Sequence, residues 1–416
     1  MCAQYSENEF DLAIVGAGAA GQIAAISAAE DGRRVVLLER MPRAGMKLLA
    51  SGGGRANLTN MLGRAEIEEA FGRQGRFMGP ALDIMGPAKL RESLAELGVE
   101  TVVDEAYRVY PASQRAVDVQ NALRRRIEQF GVRVHLSCLV SRLWLEDGRL
   151  VGVETSGGRI QAQRVLLACG GRSWPTLGGT EGGYALARQA GHMIVEPVPA
   201  LVPLVTQERW VTKIAGVSLA GARIWIALPK QSKAGITGDV LFTHRGLSGP
   251  AVIDLSGIVS QLLQRVKTVP LRVELLAGMD ALRWSREMES WRATAGKRRL
   301  LNLLKGRLPA SLARELCRLA GLHEQVTASQ LSASERQTLS GLLGHLELTV
   351  LGTEGFETAF VTRGGVKLKE VNPQTLQSRL LPGLYLAGEV LDLDGPTGGY
   401  NLQWAFASGW LAGKCS

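Results

Sequence analysis

Residues 10–39 constrain this chain more than any other stretch. An apolar run, Phe10-Asp11-Leu12-Ala13-Ile14-Val15, leads directly into Gly16-Ala17-Gly18-Ala19-Ala20-Gly21, a G-x-G-x-x-G spacing. The small residues that follow, from Gln22 to Glu30, have helical character, and a second apolar run over 35–38 ends at Glu39. Strand, glycine turn, helix, strand and acid, in that order, are the parts of a dinucleotide site. Gly16 permits the tight turn, Gly18 leaves room for a pyrophosphate against the backbone, and Gly21 lets the helix pack close to the strand. The helix start offers free N–H groups and a positive dipole end to the phosphates. Glu39 would accept hydrogen bonds from ribose hydroxyls and would repel a phosphate on the ribose. The turn by itself therefore admits FAD or NAD and disfavours NADP.

At 416 residues the chain exceeds ordinary single-domain size, so two or three domains are expected. A hydrophobic content of 46% with 21% charged residues is that of a soluble globular protein. The net charge of +9 favours acidic partners only weakly, since both dinucleotides are themselves anionic. Cys2, Cys138, Cys169, Cys317 and Cys415 are scattered, with no C-x-x-C or metal spacing. That pattern indicates neither a disulfide framework nor a zinc site, no metal is expected, and a reducing cytoplasm is the simplest setting. Glu7, Glu9 and Asp11 precede or enter the first apolar run, which glycine then interrupts, so it is no signal peptide. No stretch reaches the roughly 20 apolar residues of a membrane-spanning helix. The expectation is a soluble, cytoplasmic protein.

Residues 47–60, from Lys47 through Ser51-Gly52-Gly53-Gly54-Arg55-Ala56-Asn57 to Asn60, form a poor helix or strand but a good ligand loop. Helices are expected over 85–98, 114–130 and 182–191, and strands over 132–136, 139–145, 151–155 and 159–161, the last three as an antiparallel meander. The triplet Arg124-Arg125-Arg126 reads as a solvated helix face. The apolar run 165–168 ends at Cys169-Gly170-Gly171, a second cofactor-facing turn. Beyond Pro197 the pattern changes to short β-like pieces over 201–275, then to helices over 280–345, where eleven basic and six acidic residues give a net +5. A strand-like run over 346–351 follows, and glycine-rich character returns from Gly355. The organisation expected is a dinucleotide domain over 1–196 and 355–416, a separate β insert over 197–278 and 346–354, and a helical insert over 279–345.

Near the C-terminus, Leu384-Tyr385-Leu386-Ala387-Gly388-Glu389 is a short apolar strand ending in glycine and an acid, suited to a ribityl hydroxyl. Thr397-Gly398-Gly399 then opens a helix starting at Tyr400-Asn401-Leu402, whose free N–H groups could face the flavin edge that gains charge on reduction. A second ligand-type strand so far from the first fits FAD, which is long and extended, better than NAD. No second G-x-G-x-x-G follows a strand, so NAD(P)H would bind only transiently.

These motifs, with residues 168–183, Phe242-Thr243-His244-Arg245-Gly246-Leu247-Ser248-Gly249-Pro250 and Val361-Thr362-Arg363-Gly364-Gly365-Val366, resemble the flavoproteins of the BaiN/YhiN type, a family of NAD(P)/FAD-dependent oxidoreductases with an aminoacetone oxidase subgroup. The resemblance spans nearly the whole chain. It implies an α/β fold of the glutathione-reductase type, a Rossmann-like FAD domain carrying a β-barrel-like insert and a small helical insert. The cofactor-binding set expected is Gly16, Gly18, Ala19, Ala20, Gly21, Glu39, Arg40, Lys47, Ser51, Gly52, Gly53, Asn57, Val140, Ala168, Gly170, Gly388, Glu389, Gly398, Gly399, Asn401 and Leu402. The family often has Cys where this chain has Ala56, so thiol chemistry there does not carry over. Cys169 is the nearest alternative thiol and reads as a packed residue.

For catalysis, Lys47 would stabilise an anionic reduced flavin, His244 would act as general acid or base from the barrel insert, and Tyr400 would lie at the substrate end. Tyr110, Arg115 and Arg363 are further substrate-site candidates, while His135, His192 and His323 read as structural. The activity expected is hydride transfer between FAD and a small organic substrate. Two alternatives stay open: an RNA-associated flavoprotein, suggested by the +5 helical segment but disfavoured by its few stacking aromatics, and a flavin-binding protein without turnover.

Overall fold

A computed structural model describes residues 9–416; Cys2 and Glu7 lie outside them. The chain divides into two compact units, one ending at Val198 and resuming over Phe360–Ser416, the other covering Pro199–Ala359.

The first unit is built on a seven-stranded sheet. Phe10–Val15 lies at its centre, parallel to Val35–Leu38 on one side and to the end of Gly158–Leu167 on the other. Arg133–His135 extends the sheet beyond Val35–Leu38, and Leu384–Leu386 pairs with Gly158–Leu167, both in parallel. Parallel strands buried on both faces read as unbroken apolar runs rather than alternating ones, as VVLL and LYL do here. Gly158–Leu167 does two jobs. Its first half pairs antiparallel with Arg149–Thr155 in the expected meander, and its second half enters the parallel sheet. The sequence pattern separates it into 159–161 and a run from Val165, because the burial changes at 164–165 from alternating to continuous.

The first helix, Ala19–Glu30, packs against the C-terminal helix, Tyr400–Cys415, and small residues set the distance. A Cβ at Gly409 would lie 2.3 Å from the Ala20 carbonyl oxygen, and one at Gly413 would lie 2.5 Å from that of Ala24. The backbones therefore touch, which explains why the first helix is so rich in alanine. Arg33 donates to the carbonyls of Gly413 and Lys414 at 2.6 and 2.8 Å, matching a cation to the negative end of that helix. The expected helices over 85–98, 114–130 and 182–191 are present as Pro87–Glu96, Ala116–Gln129 and Gly182–Gln189.

The second unit holds a closed six-stranded antiparallel barrel, ordered Leu204–Thr206, Gly246–Ser248, Ile236–Phe242, Ser218–Ile226, Val269–Glu274 and Leu346–Thr353. Between the last two strands run the helices Ala281–Thr294, Leu300–Leu304, Ala310–Leu319 and Ala333–Gly344. Barrel and helices share one apolar cluster, from Phe242 and Val273 to Trp284, Leu304 and Leu343. The β-like pieces at 201–205, 222–228, 240–243 and 269–275 overlap barrel strands, and residues 250–263, between them and assigned no element from the sequence, form the helix Pro250–Leu263. Pro250 sits in its first turn, where no N–H is needed. Buried Ser256 and Ser260 and exposed Ile258 blur its helical period. Arg307, Arg314, Arg318 and Arg336 are ion-paired with acids of the helical segment, and Trp284 is fully buried.

His192, just after the helix Gly182–Gln189, has a fully buried ring. Its Nδ1 lies 3.2 Å from Glu370 Oε2 and its Nε2 lies 2.8 Å from Ser378 Oγ. Burial lowers its pKa, opposed only in part by the Glu370 carboxylate. A histidine held neutral in the fold stabilises it above the unfolded-state pKa, and that stability is lost as pH falls toward the lowered folded value. Wild-type protein should therefore lose more melting temperature than H192Q when pH drops from about 7.5 to about 5.5. Differential scanning fluorimetry on the two proteins measures this; parallel curves would contradict it.

Candidate functional site

The strand register places the ligand-type residues. Val15 pairs with Leu38 and with Leu167, and Leu167 pairs with Leu386. The chain therefore leaves the sheet at one level in four neighbouring strands. It continues there into Gly16, Glu39, Ala168 and Ala387-Gly388-Glu389. In an open α/β sheet, ligands bind just beyond the carboxyl ends of the strands.

Steric facts at the first turn separate a structural glycine from an open one. A Cβ at Gly21 would sit 1.9 Å from the Gly16 carbonyl oxygen, so Gly21 is needed for the turn itself. A Cβ at Gly18 would meet nothing within 4 Å, so space lies open at Gly18, just before the helix starts. Gly53 and Gly170 likewise face open space. Glu39 follows the second strand, and its carboxylate accepts from the Ala17 and Met41 N–H groups, both at 2.8 Å. It thus braces the glycine turn with both oxygens. Arg40 beside it is exposed. The backbone of Ser137 and Cys138 bonds to Met41 and Glu39, which brings buried Val140 to this end of the sheet.

Two buried glutamines tie the turn down. Gln22 and Gln120 exchange reciprocal amide hydrogen bonds of 3.0 and 2.8 Å, and Gln22 also donates to the Ala17 carbonyl at 3.1 Å. Neither residue was singled out from the sequence, because a lone glutamine in a helix carries no motif.

The loop after Lys47 begins as a helical turn and then reverses hand, with Ser51 extended and Gly52 and Gly53 left-handed. Ser51 Oγ donates to Leu48 within the loop. Lys47 donates to Glu389 Oε2 and to Ser173 Oγ, both at 2.7 Å. Ser173 donates to Glu389 Oε1 at 3.0 Å, and the Thr362 N–H reaches the same oxygen at 2.8 Å. The Lys47 charge is thus matched by Glu389, and four separate stretches of sequence meet in one network. Ser173 and Thr362 lay inside motifs noted above, but nothing in those motifs marked them as partners of Lys47.

At the far end, Gly399 adopts φ +98°, and a Cβ there would lie 2.4 Å from the Thr59 carbonyl oxygen. Gly398 precedes it and Tyr400 opens the helix, edge-on to Phe71. Asn401 spends its side chain on the Gly395 N–H and the Gly395 and Pro396 carbonyls, so it shapes the turn. Leu402 is half-buried beside it. Asn57 Oδ1 is buried beside Gly399 with no hydrogen-bond partner among the described residues. A buried acceptor without a donor is costly, and a ligand N–H would satisfy it. This orphan acceptor, the open space at Gly18 and the converging strand ends fit an extended dinucleotide.

Other candidates fall elsewhere. His244 is exposed at a hairpin tip of the second unit, where the Thr243 hydroxyl accepts from the Arg245 and Gly246 N–H groups. Tyr110 is buried with Arg55 stacked 4.7 Å above its ring, while Arg115 is exposed. Among the described residues no group of three or more His, Cys, Asp or Glu could hold a metal, and no helix is long and apolar enough to cross a membrane.

A profile of the HI0933-like protein Rossmann domain matches residues 10–415. The chain belongs to the HI0933-like family. Its α/β Rossmann fold is of the FAD-binding kind, as expected from the sequence. The HI0933-like chain is 36% identical over 407 residues to a 3-dehydro-bile acid delta(4,6)-reductase of Clostridium scindens, covering 97% of this chain and 98% of that one. It is 30% identical over 414 residues to a ribosomal RNA dihydrouridine synthase of Haemophilus influenzae, covering 98% and 97%. Among solved structures, a 3-ketosteroid delta1-dehydrogenase from Sterolibacterium denitrificans aligns at TM-score 0.54 with 13% identity, covering 98% and 99%, a likeness of fold alone.

Two outcomes follow. G18A should fold and melt like wild type yet bind FAD roughly tenfold more weakly, whereas G21A should lose about 1–3 kcal/mol of stability through overpacking. Thermal melts with FAD titration check the pair; equal melting temperatures for both variants would contradict the steric assignment. Burial pushes the Cys169 thiol up to about 12. In native protein at about pH 8 it should stay unalkylated by iodoacetamide while unfolded protein is labelled, as peptide mass mapping would read.

Proposed function

We propose that this HI0933-like chain is an FAD-dependent oxidoreductase that reduces a carbon–carbon double bond conjugated to a carbonyl, with NADH or NADPH as transient electron donor. The observation that carries the reading is the level register of the strand ends, which gathers Gly16–Gly21, Glu39, Ala168–Gly170 and Gly388–Glu389 at one edge of the sheet. The choice of bond rests on the relatives. A delta(4,6)-reductase of a 3-dehydro compound and a dihydrouridine synthase both saturate a double bond next to a carbonyl.

Gly18, Ala19 and Ala20 would hold the pyrophosphate, and Glu39 with Arg40 and Val140 the adenosine end. Ala168 and Gly170 would flank the chain of the cofactor. Ser51, Gly52 and Gly53 would lie against its flat end, with Asn57, Gly398, Gly399 and Leu402. Bound FAD would supply the hydride chemistry, which amino-acid side chains lack. The Lys47–Glu389–Ser173 network would fix the loop and orient Glu389 for a ribityl hydroxyl. Because Glu389 neutralises it, Lys47 serves here first as a positioning group. Tyr400 would stand at the substrate end.

A second reading keeps the chemistry and changes the carrier: a uracil in ribosomal RNA, favoured by the similarity to the Haemophilus influenzae protein over nearly the full chain. The helical segment adds little support, since Arg307, Arg314, Arg318 and Arg336 are ion-paired and Trp284 is buried.

Purified protein should show flavin absorption. Under anaerobic conditions NADH or NADPH should bleach it, and a conjugated steroid dienone or uridine-containing ribosomal RNA should restore it. Absence of a flavin band after FAD is added back would remove the cofactor assignment. Bleaching by amines, with no reoxidation by either conjugated substrate, would overturn the reductase reading in favour of an amine oxidase. Reoxidation by RNA alone would select the second carrier.

A further inference from the structure

Arg363 lies on the strand Val361–Val366, one residue after the Thr362 N–H that holds Glu389. Its Nε donates to both oxygens of Asp394, at 2.9 and 3.1 Å. The Asp394 side chain is only 7% exposed and that of Arg363 is 23% exposed. Burial pushes the Asp394 carboxyl up, and the Arg363 guanidinium opposes that shift. Asp392 is buried two residues earlier, also pushed up by burial, with Gln74 donating to it at 2.9 Å. The pairing thus uses one corner of the guanidinium. Among the described residues, none accepts a hydrogen bond from Arg363 Nη1 or Nη2.

This is an unusual way to employ an arginine that only ties two segments together. Arginine usually grips a carboxylate with two parallel N–H bonds from its fork. Here the carboxylate is spent on Nε, which fixes the plane of the guanidinium and leaves its terminal amino groups uncommitted. The anchor is itself well placed. Asp394 begins the turn that Asn401 shapes and that runs into Gly398-Gly399, beside the orphan Asn57 Oδ1. Through Asp394 the cation is tied to the segment that runs into Gly398-Gly399, among the residues read above as holding the flat part of the cofactor.

We propose that Arg363 is a substrate-binding residue whose Nη groups grip the carbonyl oxygen of the conjugated substrate. The inference rests on the reductase reading above and names the group that would give it selectivity. When hydride adds to the far carbon of a conjugated double bond, the electron pair moves to the carbonyl oxygen. A proton from water then adds at the near carbon, so that it and the hydride, which NAD(P)H-reduced FAD would supply, together saturate the bond. A fixed guanidinium at that oxygen binds the charged form more tightly than the neutral one, which is the sense in which such a group lowers a barrier. Asp394 keeps the guanidinium aimed, and its own burial denies it water as an alternative partner.

The test uses the oxidised FAD-loaded protein and para-nitrophenolate, a planar oxyanion that mimics the charged form. Binding is read from the perturbation of the flavin band, with nitrobenzene as the same ring lacking the oxygen. Para-nitrophenolate should bind wild type about tenfold or more tightly than nitrobenzene, and R363M should erase the difference. R363K, which keeps the charge but not the fork, should fall between them. Equal para-nitrophenolate affinity in wild type and R363M, with the flavin spectrum intact, would overturn the inference while leaving the cofactor assignment standing. If R363M does not retain FAD, R363K decides, and undiminished binding there overturns it. If benzoate and not para-nitrophenolate depends on Arg363, the residue receives carboxylates and the carbonyl assignment is wrong. A wild-type protein with no flavin band would remove the reading beneath it, and the inference with it.

Discussion

Everything at the site depends on the register of four parallel strands. A one-residue slip in a strand turns every side chain to the opposite face and shifts the strand end by one step. Here Val15, Leu38, Leu167 and Leu386 stand level, although they come from positions as far apart as the two ends of the chain. Burial on both faces enforces this arrangement, since every residue of VVLL and LYL is in the core. The first and last helices then lock it. Gly409 and Gly413 press against Ala20 and Ala24, and Gly388 has its N–H taken by Ser408 and its carbonyl by Trp404, both on the last helix. The glycine turn is therefore held from below by the sheet, from behind by the C-terminal helix, and from the side by the Gln22–Gln120 pair.

Charge is arranged with the same economy. Lys47, Glu389 and Ser173 satisfy one another, and Arg363 and Asp394 do so at one corner only. A half-buried pair such as Lys47 with Glu389 adds modest net stability, because solvent screening and the loss of hydration offset much of the attraction. Its value lies in position. It brings a loop, a strand end and a glycine turn to fixed distances, which is what a bound cofactor requires of its surroundings.

Much of this was legible in the sequence. The G-x-G-x-x-G turn, Glu39, the second glycine turn at Gly170 and the Gly388-Glu389 strand are local signals, and each carries its own geometry. The family resemblance added the barrel, and a closed six-stranded barrel is present. The helix Pro250–Leu263 was not legible, because its polar Ser256 and Ser260 are buried while its apolar Ile258 is exposed, which blurs the helical period. Nor was the partnership of Lys47 with Ser173 and Glu389, residues 126 and 342 positions away in sequence. No local pattern encodes such a contact. Asp394 was passed over for the same reason, since a lone acid before a glycine turn reads as a turn former until its burial and its arginine are seen.

The central claim is that the level strand ends form one extended FAD site, adenosine end at Glu39 and flavin end at Gly398-Gly399. A crystal structure of the protein grown with FAD tests it most directly. The account predicts one FAD per chain, its pyrophosphate over Gly18 and its flavin ring against the Gly398-Gly399 turn, with a cofactor N–H at Asn57 Oδ1. A dinucleotide whose flavin end points away from that turn, or one bound without contact to Gly18, would contradict it.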